Sequence, residues 1–261
     1  TGLAMKFPEV NLRLGTTIGT NALLERKGAK VGLLCTKGFK DVWTIGNQSR
    51  SALFDLKVQQ PKTLLSSVKE VDERVDTDGN VLVKVNRSEV EKVCRQLKEQ
   101  GIEALAICLV NSYVNQDHEN EICEIARHCG FEHISVSSKL SRRIKLLDRG
   151  DTTLVDAYLT PIIAAYVKSI NKSLPDATLR LMTSAGGLVS TQNLTAKDLL
   201  FSGPAGGVNG FVAAALAEDF SNAIGFDMGG TSTDVKRYGG EYEYQYETTK
   251  AGVRVVAPMF A

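Results

Sequence analysis

The sequence has no apolar run of the 18 or more residues that a membrane-spanning helix needs, and it does not open with a charged and then apolar secretion signal. It also lacks an excess of one charge, since 31 Lys and Arg residues stand against 30 Asp and Glu residues. A chain balanced in this way has no general attraction to nucleic acid or to an anionic membrane. We therefore expect a small molecule or a protein as the partner, and neither a membrane nor a nucleic acid.

Cysteine is scarce, with five residues in 261, and histidine is scarcer, with three. The cysteines are widely spaced among apolar residues, at Cys35, Cys94, Cys108, Cys123 and Cys129. This pattern is typical of reduced core thiols rather than of a disulfide framework, so we expect a cytoplasmic protein. Because no histidine forms a recognisable motif with a cysteine, the sequence favours neither a nucleophilic thiol nor a zinc site.

What the sequence does contain is a large apolar fraction, 43% of 261 residues, which suffices for one large domain or two modest ones. Predicted helices alternate with predicted strands, such as buried strands over residues 30–35 and 104–110. This alternation predicts an α/β sheet with helices packed on its faces. A charge-rich stretch within residues 140–151 indicates a boundary, which divides the chain into 1–145 and 146–261. The chain begins with Thr1 and stops just after a predicted strand, so we expect it to be part of a longer protein.

Three local predictions depend on short-range signals. Residues 68–71 and 81–85 have strand-like patterns with a turn sequence between them, which predicts a hairpin. Ser88 followed by Glu91 is a capping box, which predicts a helix start. Apolar residues recur every four positions over 154–170, but Thr160 before Pro161 is typical of a helix start, so we expect two helices or a kink there.

The strongest candidate site covers residues 224–234, where a short apolar strand ends in Asp227 and a glycine and hydroxyl segment leads to Asp234. Glycines bring backbone N–H groups close to phosphate oxygens because they carry no Cβ, and hydroxyls add donors. We expect this phosphate-binding role for Gly229, Gly230, Thr231, Ser232 and Thr233. Asp227 is placed to hold a hydrated Mg²⁺ or to orient a water, and Asp234 could serve the same centre. The alternative is a hairpin that needs no ligand.

A second candidate begins at Ser202, where Pro204 suits the first position of a helix. The N-terminus of a helix attracts anions. The residues expected to contact the nucleotide there are Gly203, Ala205, Gly206 and Gly207. The alternative is that these small residues only allow close helix packing.

A third candidate is a segment of glycine and hydroxyl residues that leads into a helix near the start of the chain. It could bind a phosphate, carboxylate or carbonyl through Gly15, Thr16, Thr17, Thr20 and Asn21, or it could be only an N-cap. The polar residues Asn47 and Gln48, close to Trp43, could contact the substrate. For Trp43 itself, a buried anchor is the alternative.

These segments, read in order, resemble the hydantoinase A and oxoprolinase family over nearly the whole chain. The resemblance is carried by residues 15–26, 36–39, 72–74, 156–161 and 202–207. Residues 45–48, 53–56, 149–150 and 224–230 are most similar to 5-oxoprolinases.

The resemblance implies an actin-like, ribonuclease H-like ATPase fold, with mixed sheets and helices on both faces. In that fold two phosphate hairpins face each other across a nucleotide cleft, and this chain would contain the second one. Residues 1–145 would then be the N-terminal region without its first hairpin, and 146–261 the start of the ATPase-like domain. The fold would therefore be incomplete, and the chain by itself inactive.

The resemblance also implies the reaction, which is the ATP- and Mg²⁺-dependent opening of a lactam, most closely 5-oxoproline to glutamate. The alternatives are hydrolysis of hydantoin or N-methylhydantoin, a subunit of an ATP-dependent ketone carboxylase, and a non-catalytic nucleotide-binding module. The expected partners are the lactam and either the remainder of the parent chain or a hydantoinase B-like subunit, within an oligomer.

Overall fold

A computed structural model describes residues 10–48, 63–228 and 233–261 of the chain. Within these ranges the chain forms two compact units. The first unit takes its described residues from Thr1–Ala22, Ile162–Tyr246 and Ala257–Ala261, and the second from Leu23–Pro161 and Glu247–Val256. Each unit is thus assembled from separate stretches of sequence, and the division of the chain at residue 145 stays a prediction.

Strands and helices follow one another along the described ranges. The strands are β1 (Asn11–Leu14), β2 (Val31–Thr36), β3 (Leu65–Val71), β4 (Arg74–Val75), β5 (Val81–Val83), β6 (Ala104–Cys108), β7 (His133–Val136), β8 (Thr178–Met182), β9 (Leu188–Ser190), β10 (Ala223–Met228), β11 (Thr233–Tyr238), β12 (Tyr244–Gln245), β13 (Thr248–Lys250), β14 (Val253–Val255) and β15 (Met259–Phe260). The helices are α1 (Ile18–Leu24), α2 (Val42–Ile45), α3 (Arg87–Glu99), α4 (Asp117–His128), α5 (Ser137–Leu140), α6 (Leu146–Ser173) and α7 (Ser202–Ala217), with a 3-10 helix over Ala196–Leu199. None of the described helices is both long enough and apolar enough to span a bilayer.

The second unit contains a four-stranded parallel sheet in the order β3-β2-β6-β7. Every residue of the two central strands is buried, as expected of parallel strands that are covered on both faces. Helices α3 and α4 contribute apolar side chains at helical spacing to this core, namely Val90, Cys94, Leu97, Ile122 and Ile125. The predicted alternation of strands and helices is therefore present here.

Two of the local predictions in this unit need correction. The predicted hairpin is present across the expected turn, but β5 pairs antiparallel with β4, whereas β3, which contains residues 68–71, joins the parallel sheet beside β2. Apolar residues that alternate with polar ones indicate that a segment is a strand, but tertiary packing decides which strand it pairs with. Helix α3 is capped by Asn86, whose side-chain oxygen accepts a hydrogen bond from the Glu89 N–H at 3.4 Å, and Ser88 already lies inside the helix.

Of the two outcomes expected at Pro161, the one with two helices was wrong, because α6 is one helix of 28 residues with Pro161 inside it. A kink at Pro161 stays a prediction. Proline removes one backbone donor from a helix and crowds the preceding turn. The Thr160 hydroxyl donates to the Asp156 carbonyl at 2.7 Å, which places Thr160 inside the helix rather than at a cap. Neighbouring turns and tertiary packing have therefore overridden the local signal.

The first unit contains a three-stranded sheet in the order β1-β8-β9, in which β1 and β8 are parallel. It also contains α7 and the antiparallel hairpin β10–β11. One face of α7 packs into a core formed by Ala205, Val208, Val212, Tyr238 and Phe260. The start of α7, the end of β1 and the end of β10 all belong to this unit.

The five cysteines are free, and four of them are buried. Burial raises the pKa of the Cys35 thiol to about 11 and that of the Cys108 thiol to about 12. Both thiols are therefore protonated at neutral pH, which is unsuited to nucleophilic attack or metal binding.

Candidate functional site

The first unit brings together the three glycine-containing segments that the sequence indicates. Gly15 and Thr16 follow β1, Gly203 lies in the first turn of α7, and Asp227 lies near the end of β10. These positions are far apart in the sequence. The candidate site is built from this group.

The segment after β1 is bonded directly to the first turn of α7. The Thr16 N–H donates to the Ser202 hydroxyl at 3.1 Å, and that hydroxyl donates to the Thr16 carbonyl at 2.8 Å. The Gly203 N–H donates to the same carbonyl at 3.1 Å. Ser202 is fully buried, so these bonds form away from solvent and hold the Thr16 backbone in one position. Thr20 adds a hydroxyl bond to the Leu200 carbonyl.

Two glycines are needed for this close approach. A Cβ on Gly15 would lie 2.9 Å from the Ser202 carbonyl oxygen, and a Cβ on Gly203 would lie 2.6 Å from the Thr17 methyl carbon. Both distances are shorter than a carbon atom tolerates without a shift of its neighbour. The packing interpretation of Gly203 is therefore supported, whereas a contact of Gly203 or Ala205 with nucleotide stays a prediction.

We expect Gly203→Ala to lower the free energy of unfolding by about 1–3 kcal/mol, the usual cost of overpacking. The methyl group would meet Thr17, a β-branched residue with little freedom to move. Gly210→Ala is the matched control in the same helix, because nothing lies within 4 Å of a Cβ at Gly210. That change should raise the stability by roughly 0.5–1 kcal/mol through helix propensity. Urea denaturation of both variants measures the difference, and equal effects would contradict the packing argument.

The hairpin β10–β11 sets two carboxylates opposite each other. Asp227 is the register partner of Asp234, and partners in an antiparallel ladder point to the same face. Like charges placed in this way repel, and a cation between them would remove the repulsion. Thr233 pairs with Met228 and therefore points to the opposite face. The expected phosphate contacts at Gly229, Gly230, Thr231 and Ser232 lie outside the described residues.

Helix α7 runs close to the Asp227 carboxylate at a position without a side chain. A Cβ on Gly207 would lie 3.8 Å from Asp227 Oδ2, and one on Gly206 would lie 3.5 Å from Met182 Sδ. Both Gly207 and Asp227 are exposed. In the described ranges no group of three or more His, Cys, Asp or Glu side chains is arranged to hold a metal. This donor set fits Mg²⁺, which takes one or two carboxylates and keeps several waters beside nucleotide phosphates.

Asn47 and Gln48 belong to the second unit and follow α2. Both are exposed, and Gln48 has a left-handed backbone with φ of 57°. Trp43 is buried against Gly150, where a Cβ would lie 2.1 Å from the indole ring. Trp43 is therefore a buried anchor, and a substrate contact of Asn47 or Gln48 stays a prediction.

Sequence reasoning missed a buried polar network at the carboxyl end of the parallel sheet, around Glu119. One Glu119 oxygen accepts the Leu109 N–H at 2.9 Å and the Ser137 hydroxyl at 2.6 Å, and the other accepts the Ser138 N–H at 2.9 Å. Arg149, also fully buried, donates to the Ser137 hydroxyl at 3.0 Å and to the Leu109 carbonyl at 2.6 Å. Ligands of open α/β sheets usually bind at this edge. Here the side chains of Glu119 and Arg149 are hydrogen-bonded to other groups of the protein. The network therefore holds the segments that follow β6 and β7 in place.

The same edge carries a second buried pair. The His118 Nδ1 atom lies 2.7 Å from a Glu73 carboxylate oxygen, and the Thr36 hydroxyl bonds to the other oxygen. In a catalytic triad the imidazole stands between the hydroxyl and the carboxylate, whereas here the carboxylate stands in the middle. The arrangement therefore does not activate the Thr36 hydroxyl as a nucleophile.

A cluster of opposite charges ties β14 to α6 within the second unit. Arg254 bonds to Asp148, and its Nε atom lies 3.6 Å from Asp151 and 3.4 Å from Glu247. Burial, and then the charge of Glu247, raise the pKa of the Asp151 carboxyl to about 7 despite the nearby guanidinium. Because Arg254 is shared among three carboxylates, it compensates Asp151 only in part.

The fold is shared with solved structures of ATP-dependent enzymes. The nucleotide-free structure of acetone carboxylase matches 96% of this chain and 38% of its own, with a TM-score of 0.84 and 22% identity. The ATP-dependent caprolactamase from Pseudomonas jessenii matches 95% of this chain and 38% of its own, with a TM-score of 0.79 and 26% identity. The α/β ATPase fold implied by the sequence resemblance is thus confirmed.

Sequence comparison identifies the family. The family described as Hydantoinase/oxoprolinase N-terminal region matches residues 8–130, and the one described as Hydantoinase/oxoprolinase matches residues 149–261. The chain belongs to the hydantoinase/oxoprolinase family. The 5-oxoprolinase of Dictyostelium discoideum is 40% identical over 290 residues, which cover 95% of this chain and 23% of that protein. The chain spans less than a quarter of the length of the curated 5-oxoprolinases that it matches.

Proposed function

We propose that this chain is the part of an ATP-dependent cyclic amidohydrolase that holds nucleotide phosphates, and that the substrate is 5-oxoproline, which is opened to glutamate. The observation that carries the proposal is the Asp227 and Asp234 carboxylate pair beside the bare backbone of Gly207. The 40% identity to a 5-oxoprolinase over nearly the whole chain supports the choice of substrate.

The chemistry explains why a lactamase of this kind would need ATP. An amide oxygen is a poor leaving group, and bound MgATP would supply the phosphoryl group that makes the ring carbon open to attack by water. The residues of this chain act by position and charge. Asp227 would hold the hydrated metal or orient the water, with Asp234 at the same centre. The backbone N–H groups of residues 229–232 would face the phosphates.

The segment bonded to α7 has a supporting role in this proposal. The bonds of Ser202 to Thr16 fix the backbone that carries Thr17 and Thr20, so this segment can present a rigid surface to a phosphate or to the substrate. Gly207 would let nucleotide approach beside Asp227, and Gly206 would contribute its backbone to the same proposed contact. Substrate contact by Asn47 and Gln48 belongs to the same proposal.

Three alternative functions are compatible with the same family fold. Hydrolysis of hydantoin or N-methylhydantoin, or of another lactam, would use the same activation, and the caprolactamase match favours lactams as a class. A ketone carboxylase subunit is favoured by the match to acetone carboxylase. A nucleotide-binding module without turnover is the remaining alternative. We also propose that the protein is cytoplasmic. It would form an oligomer that contains the rest of the parent chain or a hydantoinase B-like subunit.

ADP release from the full-length protein tests the proposal. We expect 5-oxoproline to increase ADP release, and Asp227→Asn to lower the stimulated rate by about 100-fold, as expected when a group that binds the metal or orients the reacting water is lost. Asp219→Asn is the matched control, because Asp219 is exposed with φ of 60°, a left-handed backbone that asparagine tolerates. No increase with 5-oxoproline, or an increase only with a hydantoin or a ketone, would reject the proposed substrate.

A further inference from the structure

Two cysteines from different helices meet in the second unit. Cys94 lies on α3, and Cys129 directly follows the last residue of α4. The Cys129 thiol donates to the Glu91 carbonyl at 3.9 Å, and Glu91 precedes Cys94 by three residues on α3. Residues three apart are neighbours on the surface of a helix, so this contact brings the Cys129 thiol beside Cys94. The Cys94 and Cys129 thiols are also hydrogen-bonded to each other.

The two thiols differ in their access to solvent. Cys94 is fully buried, whereas Cys129 is half-buried and packs against the edge of the same core. Burial, and then the neighbouring Cys129 thiol, raise the pKa of the Cys94 thiol to about 12. Cys94 therefore stays protonated at neutral pH and is shielded from dissolved oxidants. An accessible cysteine beside a second cysteine that can resolve it is the usual arrangement in proteins that respond to oxidants.

The chemistry follows from this difference in access. The Cys129 thiolate would attack one oxygen of a hydroperoxide, which breaks the O–O bond and leaves a sulfenic acid on Cys129. The sulfur of Cys94 would then attack the Cys129 sulfur, form the S–S bond and displace hydroxide, which takes the Cys94 proton and leaves as water. With hydrogen peroxide, two thiols and one peroxide thus give one disulfide and two waters.

We infer that Cys94 and Cys129 are a modification site, at which a hydroperoxide links α3 to α4 through a reversible disulfide. In a reducing compartment the pair rests as two thiols, because disulfides there are transient. The linked form ties together the two helices that pack on the parallel sheet, and a dithiol restores the free pair. This inference does not depend on the identity of the substrate.

Oxidation of the full-length protein by hydrogen peroxide tests the inference. After the treatment the remaining thiols are alkylated under denaturing conditions, and the tryptic peptides are identified by mass spectrometry. Trypsin releases Cys94 within residues 93–95 and Cys129 within residues 128–139. We expect these two peptides to be linked, with two hydrogen atoms fewer than the free pair, and the link to disappear after treatment with dithiothreitol.

Two controls separate this site from general oxidation of the chain. Cys129→Ser removes the accessible thiol at the edge of the core, so Cys94 should be recovered as an alkylated thiol after the same treatment. Cys35 and Cys108 are register partners on β2 and β6, but both are fully buried, so we expect them to remain thiols in the same digest.

Four results would overturn the inference. The first is a Cys129 that is not oxidised by the peroxide, and the second is oxidation of Cys129 to a sulfinic acid while Cys94 stays a thiol. The third is a disulfide of Cys129 with any cysteine other than Cys94. The fourth is a link between Cys35 and Cys108 that forms as fast as the one between Cys94 and Cys129, since access at Cys129 would then not decide which thiols react.

Discussion

Replacing Glu119 by alanine is expected to lower the free energy of unfolding by about 3–5 kcal/mol, the usual cost of breaking a buried charged network. Glu119 is fully buried, and its two oxygens accept three hydrogen bonds, two of them from the backbone N–H groups of Leu109 and Ser138. Alanine would leave these donors buried without an acceptor, and each such group costs about 1–3 kcal/mol. It would also remove the acceptor of the Ser137 hydroxyl, which itself accepts a hydrogen bond from Arg149.

Chemical denaturation of the full-length protein, followed by a probe in the second unit, measures this loss. Glu121→Ala is the matched control, since Glu121 lies on the same helix and, among the described residues, makes a surface ion pair with Arg87 at 3.3 Å. That pair should contribute less than about 1 kcal/mol. Equal and small losses in both variants would mean that the Glu119 network does not stabilise the fold.

The second prediction concerns pH. Burial and the charge of Glu247 raise the pKa of the Asp151 carboxyl from 3.8 to about 7. A carboxyl whose pKa is higher in the folded state binds its proton more tightly there, so its contribution to stability is complete below pH 4 and is lost as the pH rises through 7. The loss between these limits amounts to at most about 4 kcal/mol. Part of this is screened, because the Asp151 side chain is 29% exposed.

Asp151→Asn should remove this dependence, because asparagine does not titrate. We expect the variant and the parent to have similar stability near pH 4, and the variant to be the more stable of the two near pH 8, since the unfavourable charge is absent. Urea midpoints across this range measure the difference. Asp176→Asn removes the same charge from an exposed position and is the control. A parallel pair of stability curves for Asp151→Asn and the parent would contradict the prediction.

Protonation of Asp151 weakens one of the contacts between β14 and α6. Arg254 contacts Asp148, Asp151 and Glu247, and the Thr152 hydroxyl donates to the Val256 carbonyl at 3.2 Å. The Thr152 bond does not depend on ionisation. The segment that carries β14 is therefore bonded to α6 by one group of contacts that changes with pH and by another that does not.

The segments of the candidate site could be predicted from the sequence, but the contacts between them could not. The glycine and hydroxyl segments at Gly15, Gly203 and Asp227 are visible as local patterns, because glycine next to donors has few uses other than tight turns and close approaches. The bonds of Ser202 to Thr16 join positions 186 residues apart, and no local pattern records them. The resemblance to the family placed these segments in order, and the structure shows their contacts.

The α/β class, the buried strands β2 and β6 and the position of the hairpin around Asp227 could be predicted from sequence, because periodicity and glycine placement act over a few residues. Tertiary structure alone decided that β5 pairs with β4, that Pro161 stays inside one helix and that Glu119 is buried with Arg149. These outcomes depend on which distant surfaces meet when the core closes. The free energy of that packing is larger than the local preferences it overrides, and a single stretch of sequence does not contain it.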